Sequence, residues 1–143
     1  MIKREANFGL LFRHWLKKEP MISAAFELKQ TRTNSLPFSA VKEHQIDALC
    51  AAASRSGVLY KIPDDSAGIK PFDYCFLKHS LAFVVIRYPR FFCLIEVDAF
   101  LNEMERDKKR KSLSSERAKA ISYKWVDLNS LKQQSSKPLK TSR

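Results

Sequence analysis

Glu27 and Lys29 stand two positions apart in Ala24-Ala25-Phe26-Glu27-Leu28-Lys29, an acid and an amine set into an apolar run. On a β-strand alternate side chains share a face, so Glu27 and Lys29 project together while Phe26 and Leu28 point the other way. A carboxylate in so apolar a strand loses solvation unless it is paired or holds a metal. Two chemistries satisfy it. One is a plain Glu–Lys ion pair, or a solvated strand face. The other is a Mg2+-binding carboxylate beside an ammonium that orients or deprotonates a water attacking a phosphodiester. The tripeptide by itself favours the first, because an acid and an amine at this spacing recur by chance.

A second carboxylate would shift the balance, since Mg2+ is usually held by one or two carboxylates together with waters and phosphate oxygens. Asp73 is the candidate. Lys70-Pro71-Phe72-Asp73-Tyr74-Cys75-Phe76-Leu77 reads as a strand with Phe72, Tyr74 and Phe76 on one face and Asp73, Cys75 and Leu77 on the other. On that reading Tyr74 and Phe76 are core residues rather than stacking platforms. Asp64 and Asp65 fall in Pro63-Asp64-Asp65-Ser66-Ala67-Gly68, where Asp is favoured for backbone reasons alone. His14 has no second ligand at metal spacing and reads as an ordinary helix histidine.

The elements that must position these groups follow from periodicity. Phe8, Leu11, Phe12 and Trp15 mark an amphipathic helix over 6–16, stopped by Lys17-Lys18-Glu19-Pro20. A strand over 21–29 leads into a polar loop, 30–37, closed by Pro37. Ser39 is the expected N-cap of a helix running to about Ala53. Strands are expected over 58–62, 70–77, 81–88 and 91–97, then a helix capped by Asp98, a basic run at 107–111, and a helix opened by Ser114 or Ser115. The sum is an α/β fold, a mixed β-sheet of about five strands flanked by helices.

At 143 residues the chain is one domain, 1–128, with a basic tail over 129–143 expected to be disordered. Its net charge of +11 points to a polyanion, because Lys and Arg gain by releasing counterions from phosphates; a solvated basic surface is the plain alternative. The apolar runs are far short of the roughly 20 residues that span a bilayer, so no membrane is expected. Cys50, Cys75 and Cys93 are isolated and odd in number, which favours neither a disulfide framework nor zinc and places the chain in a reducing, intracellular compartment.

Phe26-Glu27-Leu28-Lys29, then Ser35-Leu36-Pro37-Phe38, then His44-Gln45-Ile46 resembles the core signature of the PD-(D/E)xK nuclease superfamily, closest to the Holliday-junction resolvases of the RecU-like group. In that group a Glu-x-Lys strand is followed by a Ser-Phe-Pro-Phe-like loop and a helix carrying His-Gln. Asn7-x-Gly9-x-x-Phe12 is similar to the start of the family's first helix. The resemblance implies a restriction-endonuclease-like core in a homodimer that cuts branched DNA, such as a four-way junction, with Mg2+, for which Mn2+ substitutes. It implies Glu27 as metal ligand, Lys29 as the water-orienting amine and Gln45 near the metal. A cytoplasmic setting is expected, with a phage or mobile element as one source of the gene.

The chain departs from the family pattern twice. The acid that follows the Phe of the first helix is Arg13 here, so Arg13 reads as a phosphate or solvent contact. The motif's Asp ordinarily precedes the Glu-x-Lys strand, and only Glu5 and Glu19 lie upstream. Either Glu19 substitutes or the strand order is permuted. Lys61-Ile62-Pro63-Asp64 with Lys70-Pro71-Phe72-Asp73 resembles the block that usually precedes Glu-x-Lys, which favours permutation, with Asp73 as second ligand and Asp64 a weaker alternative. Arg32, Lys42, Arg55, Lys61 and Lys70 are the remaining candidate DNA contacts, with solvation the competing role for each.

Overall fold

The computed structural model describes residues 2–21 and 23–135. In chain order the elements are α1 (Ile2–Leu16), β1 (Ala24–Gln30), β2 (Ser35–Pro37), α2 (Glu43–Ala53), β3 (Val58–Lys61), β4 (Tyr74–Leu77), β5 (Leu81–Arg87), β6 (Phe91–Glu96), α3 (Val97–Arg106), β7 (Ser112–Ser114), α4 (Ser115–Ile121), β8 (Lys124–Asp127) and α5 (Leu128–Ser135). The fold is α/β, with a mixed sheet flanked by helices. The sheet has four strands in the order β1-β5-β6-β8, and two separate two-stranded ribbons, β2-β7 and β3-β4, replace the single sheet of about five expected from sequence.

β1 and β5 are parallel, with Glu27 opposite Val84 and Lys29 opposite Ile86; β5, β6 and β8 then run antiparallel. A parallel pair needs a long crossover, and α2 provides it. Phe83 to Ile86 and Phe92 to Ile95 are wholly buried because helices cover both sheet faces, which is why β5 and β6 read as unbroken apolar runs. On one face α1 presses Phe8, Phe12 and Trp15 against Phe83, Val85, Phe92 and Leu94, with Phe26 and Leu28 of β1 beside them. Each such aromatic contributes about 1.5–3 kcal/mol by leaving water. On the other face Val84, Ile86, Cys93 and Ile95 meet Leu49 of α2, Phe100 of α3 and Ala118 of α4. Ala25 joins this second cluster, so Glu27 and Lys29, which share its side of the pleat, point toward α2.

Several local expectations change. Ser39 lies in a short 3-10 turn, Phe38–Ala40, and Lys42 is the N-cap of α2, its N–H satisfied by the Gln45 side-chain carbonyl at 2.9 Å. The loop over 30–37 contains β2, whose Leu36 is buried opposite Leu113 of β7. Tyr88 ties that ribbon to the main core by donating to the Leu113 carbonyl at 2.9 Å. Ser114 caps α4 by accepting from the Arg117 N–H, as expected, whereas α3 starts at Val97 with Asp98 in its first turn rather than at its cap. β4 begins only at Tyr74, although the Asp73 carbonyl before it already accepts from the Ile62 N–H at 2.8 Å.

The β3-β4 ribbon is an excursion between α2 and β5. Its two ends are drawn together where His79 N–H donates to the Ser54 carbonyl and Ser80 N–H to the Ala52 carbonyl, each at 3.0 Å. β8 and α5 carry ordered structure to Ser135, into the expected tail; residues 136–143 lie outside the described residues.

Candidate functional site

Three predicted residues converge. Gln45 Nε2 donates to Glu27 Oε1 at 2.9 Å, and Lys29 Nζ lies 3.3 Å from the same oxygen. The strand delivers the acid and the amine on one face, and the first turn of α2 delivers the amide from above. Because Gln45 Oε1 is occupied by the Lys42 N–H, the amide has one orientation, with its NH2 toward Glu27. The Glu27 and Lys29 side chains retain 28% and 21% of their exposure, which keeps them reachable while partly desolvated. Both contacts fall on Oε1, so Oε2 takes no hydrogen bond among the described residues. The arrangement is a carboxylate with one oxygen clamped by two donors and the other free, beside an ammonium. It lies on a strand whose outer edge pairs with no other described strand.

The further carboxylates expected here are not brought to it. Asp73 precedes β4 in the separate ribbon, is 74% exposed, and is held 3.1 Å from Lys70 Nζ; Asp64 contacts the same ammonium. Glu19 pairs with Lys124 of β8 at 2.8 Å, and β8 is the opposite edge of the sheet from β1. Among the described residues no group of three or more His, Cys, Asp or Glu side chains is arranged to hold a metal ion. The donor set therefore fits Mg2+ only at its minimum: one carboxylate, Glu27, with the rest of the shell left to water and phosphate.

The candidate DNA contacts also separate. Lys42 sits at the start of α2, its Nζ on the Ser39 carbonyl at 3.2 Å, and Arg32 is exposed two residues beyond the end of β1; both flank the Glu27 end of the fold. Arg13 is exposed on α1, across the sheet from Glu27. Arg55 follows the far end of α2 and Lys61 is on the ribbon, both exposed, while Lys70 is taken by Asp64 and Asp73. Tyr74 and Phe76, expected in the core, are 55% and 59% exposed, since the ribbon turns that face away from the sheet.

One charged cluster was not anticipated beyond the basic run that borders it. Arg117 grips Glu103 with two hydrogen bonds, Nε to Oε1 at 2.9 Å and Nη2 to Oε2 at 2.8 Å, beside a cleft of about 330 Å³ also lined by Arg106 and Arg110. The Arg117 hydrogen bonds hold the Glu103 carboxyl below its ordinary range against the opposing effect of burial. Elsewhere burial pushes the Cys93 thiol up to about 12 and raises the Tyr88 phenol. No helix among the described residues is long and apolar enough to cross a membrane. Comparison with protein-family models, with curated proteins and with solved structures finds no match to this chain.

Proposed function

We propose that this chain is a Mg2+-dependent DNA endonuclease that cuts branched DNA, a Holliday-junction resolvase acting as a homodimer in a reducing intracellular compartment. The observation that carries it is the convergence of Glu27, Lys29 and Gln45, residues from a strand and from a helix 18 positions further on, at one carboxylate. These are the residues that the resemblance to PD-(D/E)xK nucleases singles out. In this reading the four-stranded sheet is a restriction-endonuclease-like core, and a two-fold pair of chains matches the symmetry of a four-way junction.

The chemistry a bound Mg2+ supplies is neutralisation of phosphate charge and polarisation of water. Glu27 would hold it through Oε2, with Gln45 keeping the carboxylate from rotating. Lys29 places a positive charge beside the scissile phosphate and orients the attacking water. Arg32 and Lys42 bind flanking phosphates and fix the duplex on the open edge of β1.

A second reading has its own observation. Asp73 is engaged by Lys70 away from Glu27, which suits a non-catalytic DNA-binding module, and a duplex-cutting or nicking enzyme of the same fold lies between the two. Labelled four-way junction, flap and linear duplex, each with Mg2+ or EDTA, separate them. The resolvase reading expects Mg2+-dependent cutting of the junction, with Glu27→Ala and Lys29→Ala lowering the rate by roughly 10²–10⁴-fold while binding persists. Junction binding without cutting by the unmodified chain would leave the binding module; equal cutting of linear duplex would remove the junction preference.

A further inference from the structure

The cleft of about 330 Å³ between α3 and the β7-α4 corner carries more cationic donors than its own carboxylates use. Glu103, whose side chain is only 9% exposed, fixes Arg117 by the Nε–Nη2 edge of the guanidinium. That fork spends two of the five N–H donors of a guanidinium, and the other three have no partner among the described residues. Arg106 and Arg110 line the same cleft, and their guanidinium groups make no hydrogen bond among the described residues. Arg106 Nη1 stands 3.8 Å from Glu103 Oε1, beyond hydrogen-bond reach. The remaining carboxylate, Asp107, accepts from the Lys109 N–H at 3.0 Å, and within 106–111 it is the one acid beside Arg106, Lys108, Lys109, Arg110 and Lys111. Phe38 and Leu113, both buried, give the cleft a packed wall.

Such a set selects a compact oxyanion. A guanidinium presents a planar fork that matches the oxygens of a phosphate group, and it gives up its water more readily than an ammonium does. The carboxylate in the cleft does not oppose this, because both Glu103 oxygens are already bonded to Arg117, which leaves Arg106 and Arg110 for a ligand. We propose that the cleft binds a single phosphate group, held by Arg106, Arg110 and the unspent donors of Arg117, with Glu103 as the residue that orients Arg117. The group is either the free ion or the phosphate that ends a nucleic-acid strand; the two share a head of close to two negative charges with several acceptor oxygens. The cleft shares no residue with Glu27, Lys29 and Gln45, and the binding needs neither Mg2+ nor cleavage, so it stands apart from the endonuclease reading.

The test is calorimetric titration of the full chain with inorganic phosphate, without metal, against chloride at equal ionic strength so that screening cancels. The unmodified chain should bind saturably with a Kd of about 1 mM or tighter. Arg106→Gln combined with Arg110→Gln should weaken binding about 10-fold or more, because each change removes charge-assisted hydrogen bonds to the anion. The Arg106 side chain is 62% exposed and Arg110 is exposed, so the fold should survive, which circular dichroism checks. Arg110→Gln alone should weaken binding in the same direction, and it decides the matter if the double variant misfolds. Lys17→Gln combined with Lys18→Gln removes the same charge after α1 and should leave the affinity unchanged. A short oligonucleotide with and without a 5′-phosphate separates the sources. Tighter binding of the phosphorylated strand, reversed by inorganic phosphate, makes a strand end the ligand, and equal binding of the two strands leaves the free ion. No saturable binding beyond the chloride reference, or an equal loss in both double variants, overturns the proposal. So does a double variant that loses oligonucleotide binding while inorganic phosphate neither binds nor competes, which would make the arginines an open contact for a nucleic-acid backbone.

Discussion

Gln45 holds Glu27 and starts its own helix with the same side chain: the amide NH2 donates to Glu27 Oε1 and the amide oxygen accepts the Lys42 N–H, both at 2.9 Å. The two roles come apart on substitution. Gln45→Leu removes both bonds and should destabilise the fold by about 0.5–2 kcal/mol, the ordinary cost of a lost cap. Gln45→Glu keeps an acceptor for Lys42 but replaces the amide donor to Glu27 with a like charge. In the proposed endonuclease Gln45→Glu should then slow junction cleavage at saturating Mg2+ while its urea midpoint stays nearer that of the unmodified chain than does that of Gln45→Leu.

The Glu103–Arg117 pair joins α3 to α4 and makes stability depend on pH. Hydrogen bonds from Arg117 hold Glu103 ionised below its ordinary pKa, so its contribution is complete above the unfolded-state value and is lost as pH falls through the lower folded-state value. Glu103→Gln should lower the urea midpoint at neutral pH, and the gap from the unmodified chain should close in acid. A gap unchanged between neutral and acid solution would contradict this.

Gly57 sits at φ +77°, where an added Cβ would meet the Leu77 carbonyl at 2.7 Å and Lys78 Cβ at 2.9 Å. Gly68, at φ +65°, has no heavy atom within 4 Å of such a Cβ. Gly68→Ala should therefore cost only the left-handed backbone penalty of about 1–2 kcal/mol, and Gly57→Ala more than that. Urea unfolding of the two variants side by side checks the order.

Cys93 is fully buried and its thiol is pushed up to about 12, so it carries almost no thiolate at neutral pH. A coloured thiol reagent should label Cys75 and Cys50 in the native chain, both half-buried, and Cys93 only on unfolding. Burial and the nearby Asp98 and Asp47 also raise the Cys50 thiol, so Cys75 should react first. Mass spectrometry of partly labelled protein gives the order.

Where the physics is local or strongly periodic, the chain can be read directly. Phe8, Phe12 and Trp15 announce the helix that covers one sheet face, the runs at 81–86 and 91–95 announce the two central strands, and the pleat alone puts Glu27 and Lys29 together. Three-residue strands such as β2 and β7 have no period to detect. Alternation in Tyr74-Cys75-Phe76 shows that these residues share a strand but not which face the body of the protein covers, and the aromatic face is the uncovered one. The position of Asp73 depends on where the ribbon sits, apart from the sheet that holds Glu27, which no local pattern encodes; the Lys70–Asp73 pair itself is a local i,i+3 contact.

The two backbone bonds that draw Ser54 to His79 and Ala52 to Ser80 make the β3-β4 ribbon a cassette. The crossover from α2 to β5 is already closed at its base, so a short turn in place of 56–78 would leave the path of the main sheet unchanged. The ribbon can therefore be shortened or exchanged without redrawing the strand that carries Glu27 and Lys29.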